Sequence, residues 1–241
     1  RTLAQKQKLI ISIDRLDYTK GIPDRIRAYG RFLKHYPEYQ GKVTLLSLVV
    51  PSRSNVDQYR ELKEEVELLV GRLNGQLGTF DWTPMVYLYR SLNFDQLTTL
   101  YQVAHIAMIT PLRDGMNLVA KEYVASKEDN KEGVLILSEM AGAADELTEA
   151  IVVNPQDTEG MAEAIRTALE MNKEEQAWRL GKMQKKLKKY DIKHWASTFL
   201  KVQTQLMKEQ KERHISKLDS TLKDQLLEDY RQAQKRLIIL D

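Results

Sequence analysis

The sequence predicts an α/β fold in which a single doubly wound parallel sheet is followed by a helical C-terminal tail. Six short apolar runs, rich in β-branched residues, alternate with segments whose apolar residues recur at helical spacing. These runs are continuously apolar rather than alternating, which is typical of parallel strands covered by helices on both faces. From residue 173 onward the spacing is helical. A chain of 241 residues with 42% hydrophobic content can bury an ordinary core.

The predicted strands and helices alternate along the first part of the chain. Strands are expected at residues 9–13, 43–50, 85–89, 106–111, 133–138 and 151–154. Pro23 suits the first turn of a helix after the first strand, and leucines and valines at helical spacing predict a second helix before Gly75. Asn117 and Asp157 are residues of the type that cap helices, and each precedes a helical pattern.

The chain is expected to have three parts. Residues 1–172 form the α/β domain, and residues 173–236 form amphipathic helices that pack partly on this domain or on a missing partner. Residues 237–241 begin a further, truncated domain, because the apolar run LIIL before Asp241 reads as a strand. The first strand also begins almost at residue 1. We therefore expect the chain to be a piece excised from a longer protein.

Composition argues against several classes of function. The chain has no cysteine, and the spacing of His35, His105, His194 and His214 is not that of metal ligands, so no metal site is expected. No apolar segment reaches membrane-spanning length, and the first residues lack the apolar core of a signal peptide. The expected location is the cytoplasm, without membrane contact.

The charge is uneven along the chain. Residues 173–236 hold 17 basic and 9 acidic residues and the rest holds 20 and 25, so the two parts carry +8 and −5. A basic segment can bind nucleic acid, but here aromatic residues are not interleaved as stacking platforms. Solvated helices are therefore favoured over a nucleic-acid interface.

The loop after the first strand is the first candidate site. Arg15 and Lys20 lie at the carboxyl end of that strand, and Gly21 shapes the entry to a helix. A guanidinium and an ammonium beside a helix N-terminus suit a diphosphate. The alternative is a surface loop in which Arg15 pairs with Asp14 or Asp17. The glycine pattern of NAD-binding domains is absent from this loop.

The stretch TPLRDGMNLVAKEYVAS, after the fourth strand, is the second candidate. If Asn117 caps the helix, the amides of Leu118 and Val119 are free to receive a phosphate oxygen. Glu122 follows one turn after Leu118 on the same face, where a carboxylate can accept both hydroxyls of a ribose. Spacing alone thus indicates an anion site at a helix end.

Other readings of nearby residues stay open at this point. Glu122 could instead pair with Lys121 or Arg113, and Arg113 itself is expected to form a structural ion pair. Arg53, after the second strand, could bind a substrate phosphate or be solvated. Gly142, in the turn after the fifth strand, permits close approach of a backbone to a ligand or tight packing of strand and helix.

Taken together, these stretches resemble the trehalose-6-phosphate synthases. The similarity rests on IDRLDYTKGIPDR, VPSRSNVDQYRELKEEVELLVGRLNG, WTPMVYLYRSL and TPLRDGMNLVAKEYVAS, and it continues through GVLILSEMAGAADEL and VVNPQD. It covers about residues 8–200. The resemblance implies a GT-B fold of two facing Rossmann-like domains, of which this chain is the second, the domain that binds the sugar nucleotide.

The resemblance also implies a reaction. Glucose would pass from UDP-glucose to glucose 6-phosphate to give trehalose 6-phosphate, with retention at the anomeric carbon and without metal or cofactor. Glucose 6-phosphate would be held mainly by the N-terminal domain, which is missing here. We therefore expect this chain alone to bind UDP or UDP-glucose weakly and to transfer glucose poorly or not at all.

Residue roles follow from the resemblance. Arg15 and Lys20 would hold the diphosphate and stabilise the departing UDP, with help from the amides of Leu118 and Val119. Glu122 would take the ribose hydroxyls. The backbone near Leu92 would meet the uracil, and Arg53 would reach the acceptor phosphate. The transferred glucose would be held by the carboxylate of Asp114 and the amides of Gly115, Met116 and Asn117.

Two alternatives to this reading remain, together with one further hypothesis about the parent protein. One is a sister transferase with another nucleotide, such as GDP, or another acceptor, as in glucosylglycerol-phosphate synthase. Another is a catalytically silent regulatory or scaffold subunit. Finally, the parent protein could carry a trehalose-phosphate phosphatase domain, since Asp241 would stand where the nucleophile of an Asp-x-Asp-Gly-Thr motif begins.

Overall fold

The structure is a computed structural model of the chain, and it describes residues 7–52, 56–127, 132–190, 192–212 and 219–236. Arg53 and the expected terminal strand at residues 237–241 lie outside these ranges. The described chain divides into two compact units, Arg1–Lys189 and Tyr190–Asp241. The first unit extends past residue 172 because a helix that follows this position packs against it.

Six parallel strands form one sheet in the first unit. They are β1 (Lys8–Arg15), β2 (Val43–Val50), β3 (Met85–Tyr89), β4 (Ile106–Ile109), β5 (Val134–Ser138) and β6 (Ile151–Val153). Their order is β3-β2-β1-β4-β5-β6, and every pairing is parallel. The predicted doubly wound parallel sheet is confirmed, with its chain order reversing between β1 and β4.

Helices cover both faces of this sheet. The first unit contains α1 (Ile22–His35), α2 (Asp57–Leu77), α3 (Phe94–Val103), α4 (Leu118–Ser126), α5 (Ala143–Glu146), α6 (Thr158–Glu170) and α7 (Lys173–Lys189). Helix α1 packs against α2 and α6, whereas α4 packs against α3 and α7. Alternate residues of β1 serve the two layers: Ile10 lies in the core under α1, and Ile11 lies in the core under α4.

Helix termini agree with the predicted caps in three cases. Pro23 lies in the first turn of α1, Asn117 accepts a hydrogen bond from an amide at the start of α4, and Asp157 does the same at α6. The expected end of α2 before Gly75 is wrong. This glycine lies inside the helix, which continues to Leu77, because tertiary packing tolerates the modest helix cost of one glycine.

The described residues of the second unit form two helices, α8 (Ile192–Glu212) and α9 (Ser220–Gln232). Trp195 and Phe199 stack on α8 with ring centroids 5.6 Å apart, and each side chain is about half exposed. No strand occurs among the described residues of this unit. In the described part of the chain, none of the helices is both long and apolar enough to cross a membrane.

Near the amino ends of the strands lie a partly buried histidine, His105, and a buried lysine, Lys127. The Nδ1 atom of His105 accepts a hydrogen bond from the Leu9 amide at 3.1 Å, which requires an uncharged Nδ1. Lys127 is buried and donates to the carbonyls of Gln102 and Ala104 at the end of α3. Burial lowers the pKa of His105 to about 4 and that of Lys127 to about 8.

Gly21 fixes the position of α1 against the loop after β4. Its backbone is left-handed, with φ of 62°, and an added Cβ would lie 2.7 Å from the carbonyl oxygen of Thr110. Only glycine satisfies both constraints without strain.

We expect Gly21→Ala to lower the free energy of unfolding by about 2–4 kcal/mol, because left-handed strain and a backbone clash add. Urea unfolding monitored by circular dichroism measures the loss. Gly41→Ala is the matched control: its φ is 76°, but an added Cβ meets nothing within 4 Å. This control should lose only about 1 kcal/mol. Equal losses in the two variants would contradict the close approach.

We expect stability to fall as the pH drops from about 6.5 to about 4, because the unfolded state takes up a proton on His105 before the folded state does. Urea unfolding at pH 7.5 and pH 5 measures this slope. In His105→Gln the loss should be smaller by about 1 kcal/mol, since glutamine keeps an acceptor but does not titrate in this range. Exposed His35 provides the control, and an equal change of slope in His35→Gln would contradict the assignment.

Candidate active site

The candidate site lies where the ladder between β1 and β4 ends. These strands pair at only two positions, Ile10 with Ile106 and Ile11 with Ala107, whereas β1 pairs with β2 along its full length. The loops that follow β1 and β4 therefore rise beside a gap at the carboxyl edge of the sheet. This reversal of strand order is the position where ligands bind in open α/β sheets.

Backbone contacts hold the two loops together above this gap. The amides of Leu112 and Arg113 donate to the carbonyl of Thr19, at 2.8 and 3.2 Å. Asp17 caps the short 3₁₀ turn between β1 and α1 by accepting from the amide and the hydroxyl of Thr19. Residues that are more than 90 positions apart in sequence are thus brought to one edge, as predicted for two βα loops of one sheet.

Arg15 is exposed, and its side chain has no hydrogen-bond or ion-pair partner among the described residues. The alternative in which it pairs with Asp14 or Asp17 is wrong, because Asp14 bonds Arg25 and Asp17 bonds Thr19. A fixed strand end thus presents an available guanidinium.

Lys20 and Asp114 form the central ion pair of the site. The Lys20 ammonium lies 2.6 Å from Asp114 Oδ2, and both side chains are 15% exposed. Burial alone would raise the pKa of Asp114, but hydrogen bonds from Lys20, Met116 and Asn117 hold that pKa below its usual value. Asp114 therefore stays ionised at neutral pH.

The Asp114 carboxylate also organises its own loop. Its Oδ1 accepts from the amides of Met116 and Asn117 at 3.3 and 3.2 Å, and its Oδ2 accepts from the Asn117 side chain at 3.1 Å. With the bond from Lys20, these contacts use the full acceptor capacity of a carboxylate. Gly115, in the same turn, faces open space at its Cα.

Helix α4 starts at the predicted place. Asn117 has a left-handed backbone, with φ of 64°, and its side chain accepts from the Ala120 amide at 3.0 Å. Leu118 and Val119 are the first two residues of the helix, where amides lack a partner within the helix. Leu118 is 57% exposed, so this helix end is accessible to an anion.

Glu122 lies one turn into α4, exposed, and accepts a hydrogen bond from the Tyr101 hydroxyl at 2.8 Å. The alternatives in which it pairs with Lys121 or Arg113 are wrong, because Lys121 bonds Glu146 instead. Burial and then the Glu122 carboxylate raise the pKa of Tyr101. Tyr101 thus orients the carboxylate, a role that an apolar helical pattern could not indicate.

The turn after β5 supports the Asp114 loop from behind. The Asp114 amide donates to the Met140 carbonyl at 3.2 Å, and the Gly142 amide donates to the Asp114 carbonyl at 3.0 Å. A Cβ on Gly142 would lie 2.2 Å from the Gly115 oxygen. The close approach at Gly142 is therefore to the Gly115 backbone, which settles its supporting role as packing.

Arg25, which the sequence reasoning missed, lies beneath the site. It is 1% exposed and pairs with Asp14 at 2.5 Å. Burial raises the pKa of Asp14, and the adjacent guanidinium opposes this rise. The available signal was positional: Arg25 falls on the apolar face of α1, beside Ile22 and Ile26.

Three further predicted positions differ in outcome. Leu92 is partly buried against the core on the α4 side, just before α3. Arg113 is exposed, and the expected structural ion pair does not occur among the residues that the structure describes. Arg53 is outside the described ranges, and its role stays a prediction. No group of histidine, aspartate and glutamate side chains in the described ranges is arranged to hold a metal ion.

Residues 1–205 match the sequence model of a protein family, glycosyltransferase family 20. The chain is 46% identical over 243 residues to a bifunctional trehalose-6-phosphate synthase/phosphatase of Thermoproteus tenax, covering 100% of this chain and 33% of that protein.

Solved structures show the same likeness. An alpha,alpha-trehalose-phosphate synthase (UDP-forming) from Burkholderia xenovorans in complex with glucose-6-phosphate is 41% identical, with a TM-score of 0.80. The structure "Trehalose-6-phosphate from E. coli bound with UDP-2-fluoro glucose" is 40% identical, also with a TM-score of 0.80. In both cases the match covers 82% of this chain and 44% of the solved one.

The chain thus spans a third to less than half of the length of these relatives. Its single sheet agrees with the prediction of one Rossmann-like half of a GT-B fold. One assignment follows from the strand order, from the loops after β1 and β4, and from the match over residues 1–205. The chain belongs to glycosyltransferase family 20.

Proposed function

We propose that this chain forms the donor side of a glucosyltransferase that moves glucose from UDP-glucose to glucose 6-phosphate, giving trehalose 6-phosphate. The observation that carries the proposal is the meeting of Arg15, Lys20 and the start of α4 at the reversal of strand order. Relatives of the same family support the substrates, since one solved structure holds UDP-2-fluoro glucose and another holds glucose-6-phosphate.

The diphosphate would lie between the two cations and the helix end. The planar guanidinium of Arg15 offers several N–H donors. The Lys20 ammonium has three donors, one of which reaches Asp114. The amides of Leu118 and Val119 add partial positive charge at the start of α4. Negative charge gathers on the departing UDP in the transition state, so fixed donors here act where the charge develops.

The nucleoside and the sugar would lie on either side of the diphosphate. Glu122, oriented by Tyr101, would accept the ribose hydroxyls, and the backbone near Leu92 would contact the uracil. The transferred glucose would contact the loop from Asp114 to Asn117. Arg53 is the candidate for the phosphate of the acceptor.

Neither carboxylate of the site has to act as a nucleophile. The resemblance implies that the acceptor attacks from the face of the leaving group, with retention. Asp114 is engaged by Lys20 and Asn117, and Glu122 is engaged by Tyr101. The pair therefore should not be assigned the acid and nucleophile roles that two carboxylates have in glycosidases.

Calorimetric titration with UDP, UDP-glucose and GDP tests the proposal. We expect UDP and UDP-glucose to bind more tightly than GDP, and Arg15→Ala to weaken UDP binding by about tenfold or more, because a charge-assisted hydrogen bond to phosphate is lost. Arg113→Ala is the matched control, since it removes another exposed arginine of the same edge and should change the affinity by less than about twofold.

The outcomes separate the competing functions. A chain that binds no nucleotide is a scaffold, and preferential binding of GDP indicates a sister transferase with another donor. An equal loss of affinity in Arg15→Ala and Arg113→Ala would show only general electrostatic attraction, and it would remove Arg15 from the site.

We propose in addition that the parent protein carries a phosphatase domain after this chain. The Thermoproteus tenax relative is described as bifunctional, and its match covers all 241 residues, including the tail. We expect the parent gene to continue from Asp241 into an Asp-x-Asp-Gly-Thr motif. Sequencing the gene beyond this codon checks the expectation, and a different continuation would contradict it.

A further inference from the structure

Arg25 joins the two halves of the candidate site from below. Its guanidinium donates to the hydroxyls of Ser12 and Thr110, to the Asp14 carboxylate and to the carbonyl oxygen of Lys20. Ser12 belongs to β1, and Thr110 directly follows β4. The side chain therefore spans the gap where the backbone ladder between these strands has ended.

The charge of Asp14 makes this connection functionally important. Asp14 lies at the end of β1, is 7% exposed, and feels the charges of Arg25, Lys20 and Asp114. Arg25 is the cation in direct contact, whereas Lys20 acts from a greater distance. Without the guanidinium, burial would raise the pKa of Asp14 further, and any charge that the carboxylate kept would be left with Lys20 as the other cation acting on it.

We infer that Arg25 is a positioning residue for the donor diphosphate. It neutralises Asp14 and fixes the Lys20 backbone, so that the Lys20 ammonium stays directed into the candidate site beside Asp114. This inference rests on the proposed function. Arg25 itself is a positioning residue and not a substrate contact, because it is buried beneath the site and only 1% exposed.

A purely structural role makes a different prediction. If Arg25 only tied β1 to β4, its loss would disturb every part of the site, including the nucleoside end near Glu122. If Arg25 acts through Lys20, its loss should weaken contacts to phosphate and leave those to the nucleoside. Comparing a ligand that has the diphosphate with one that lacks it separates these roles.

The experiment measures UDP and uridine binding to the 241-residue chain and to Arg25→Gln by ligand-observed NMR. We expect UDP affinity to fall by about tenfold or more, while uridine affinity changes by less than about twofold, because the Lys20 backbone loses its bond from Arg25 and any charge that Asp14 keeps draws the Lys20 ammonium away from phosphate. Arg27→Gln is the matched control. Arg27 lies two residues later on the same helix, partly exposed and paired with Asp24 and Glu65.

A second variant tests the charge directly. Asp14→Asn in the Arg25→Gln background removes the unpaired carboxylate, so UDP affinity should return to within about threefold of the unmodified chain. This double variant buries no unpaired charge. If Arg25→Gln alone does not fold, the UDP affinity of the double variant therefore tests the inference by itself. A double variant that binds UDP as weakly as Arg15→Ala would overturn the inference.

The remaining outcomes are decisive as well. Unchanged UDP affinity in Arg25→Gln, or an equal loss for UDP and uridine, would overturn the positioning role while the proposed function stands. If the unmodified chain binds no UDP, or if Arg15→Ala has no effect, the proposed function fails and the inference fails with it.

Discussion

The early end of the ladder between β1 and β4 is the constraint on which the site depends. Two paired positions hold these strands together, and beyond them no backbone ladder joins the adjacent strand ends. Buried polar groups at such a gap must find other partners. The protein supplies them with side chains and loops: Arg25 bridges Ser12 and Thr110, and Gly21 lets α1 start against the Thr110 carbonyl. These contacts hold the two strand ends together, so the space between the loops at the carboxyl edge of the sheet can stay open for a ligand.

Much of the fold could be predicted because parallel strands leave a local signal. The largely apolar runs at 43–50 and 85–89 coincide with β2 and β3, since strands covered on both faces are apolar at nearly every position. The caps of α4 and α6 were predicted correctly for a similar reason: a cap acts on amides two or three residues away. Local physics determines both features.

The contacts that shape the site are not local, and sequence reasoning missed them. Lys20 and Asp114 were predicted as separate ligand groups, yet they pair across 94 positions. Arg25 falls on the apolar face of α1, but an arginine is rarely buried, so its residue type argued against this position in the core. No prediction for Tyr101 followed from the sequence, because only the approach of α3 to α4 brings its hydroxyl to Glu122. Such pairs depend on the relative placement of elements, which periodicity does not report.

The crowded acceptors of Asp114 bear on how a sugar could enter. The carboxylate already accepts four hydrogen bonds, so a glucose hydroxyl bound here, as the proposed function requires, would have to replace one of them. The bonds from the Met116 and Asn117 amides are the longest, at 3.3 and 3.2 Å, and are the least costly to exchange. Replacing them frees two amides as well as one carboxylate oxygen. The same exchange therefore creates the acceptor and the donors that hydroxyl groups require, while Lys20 keeps Asp114 ionised.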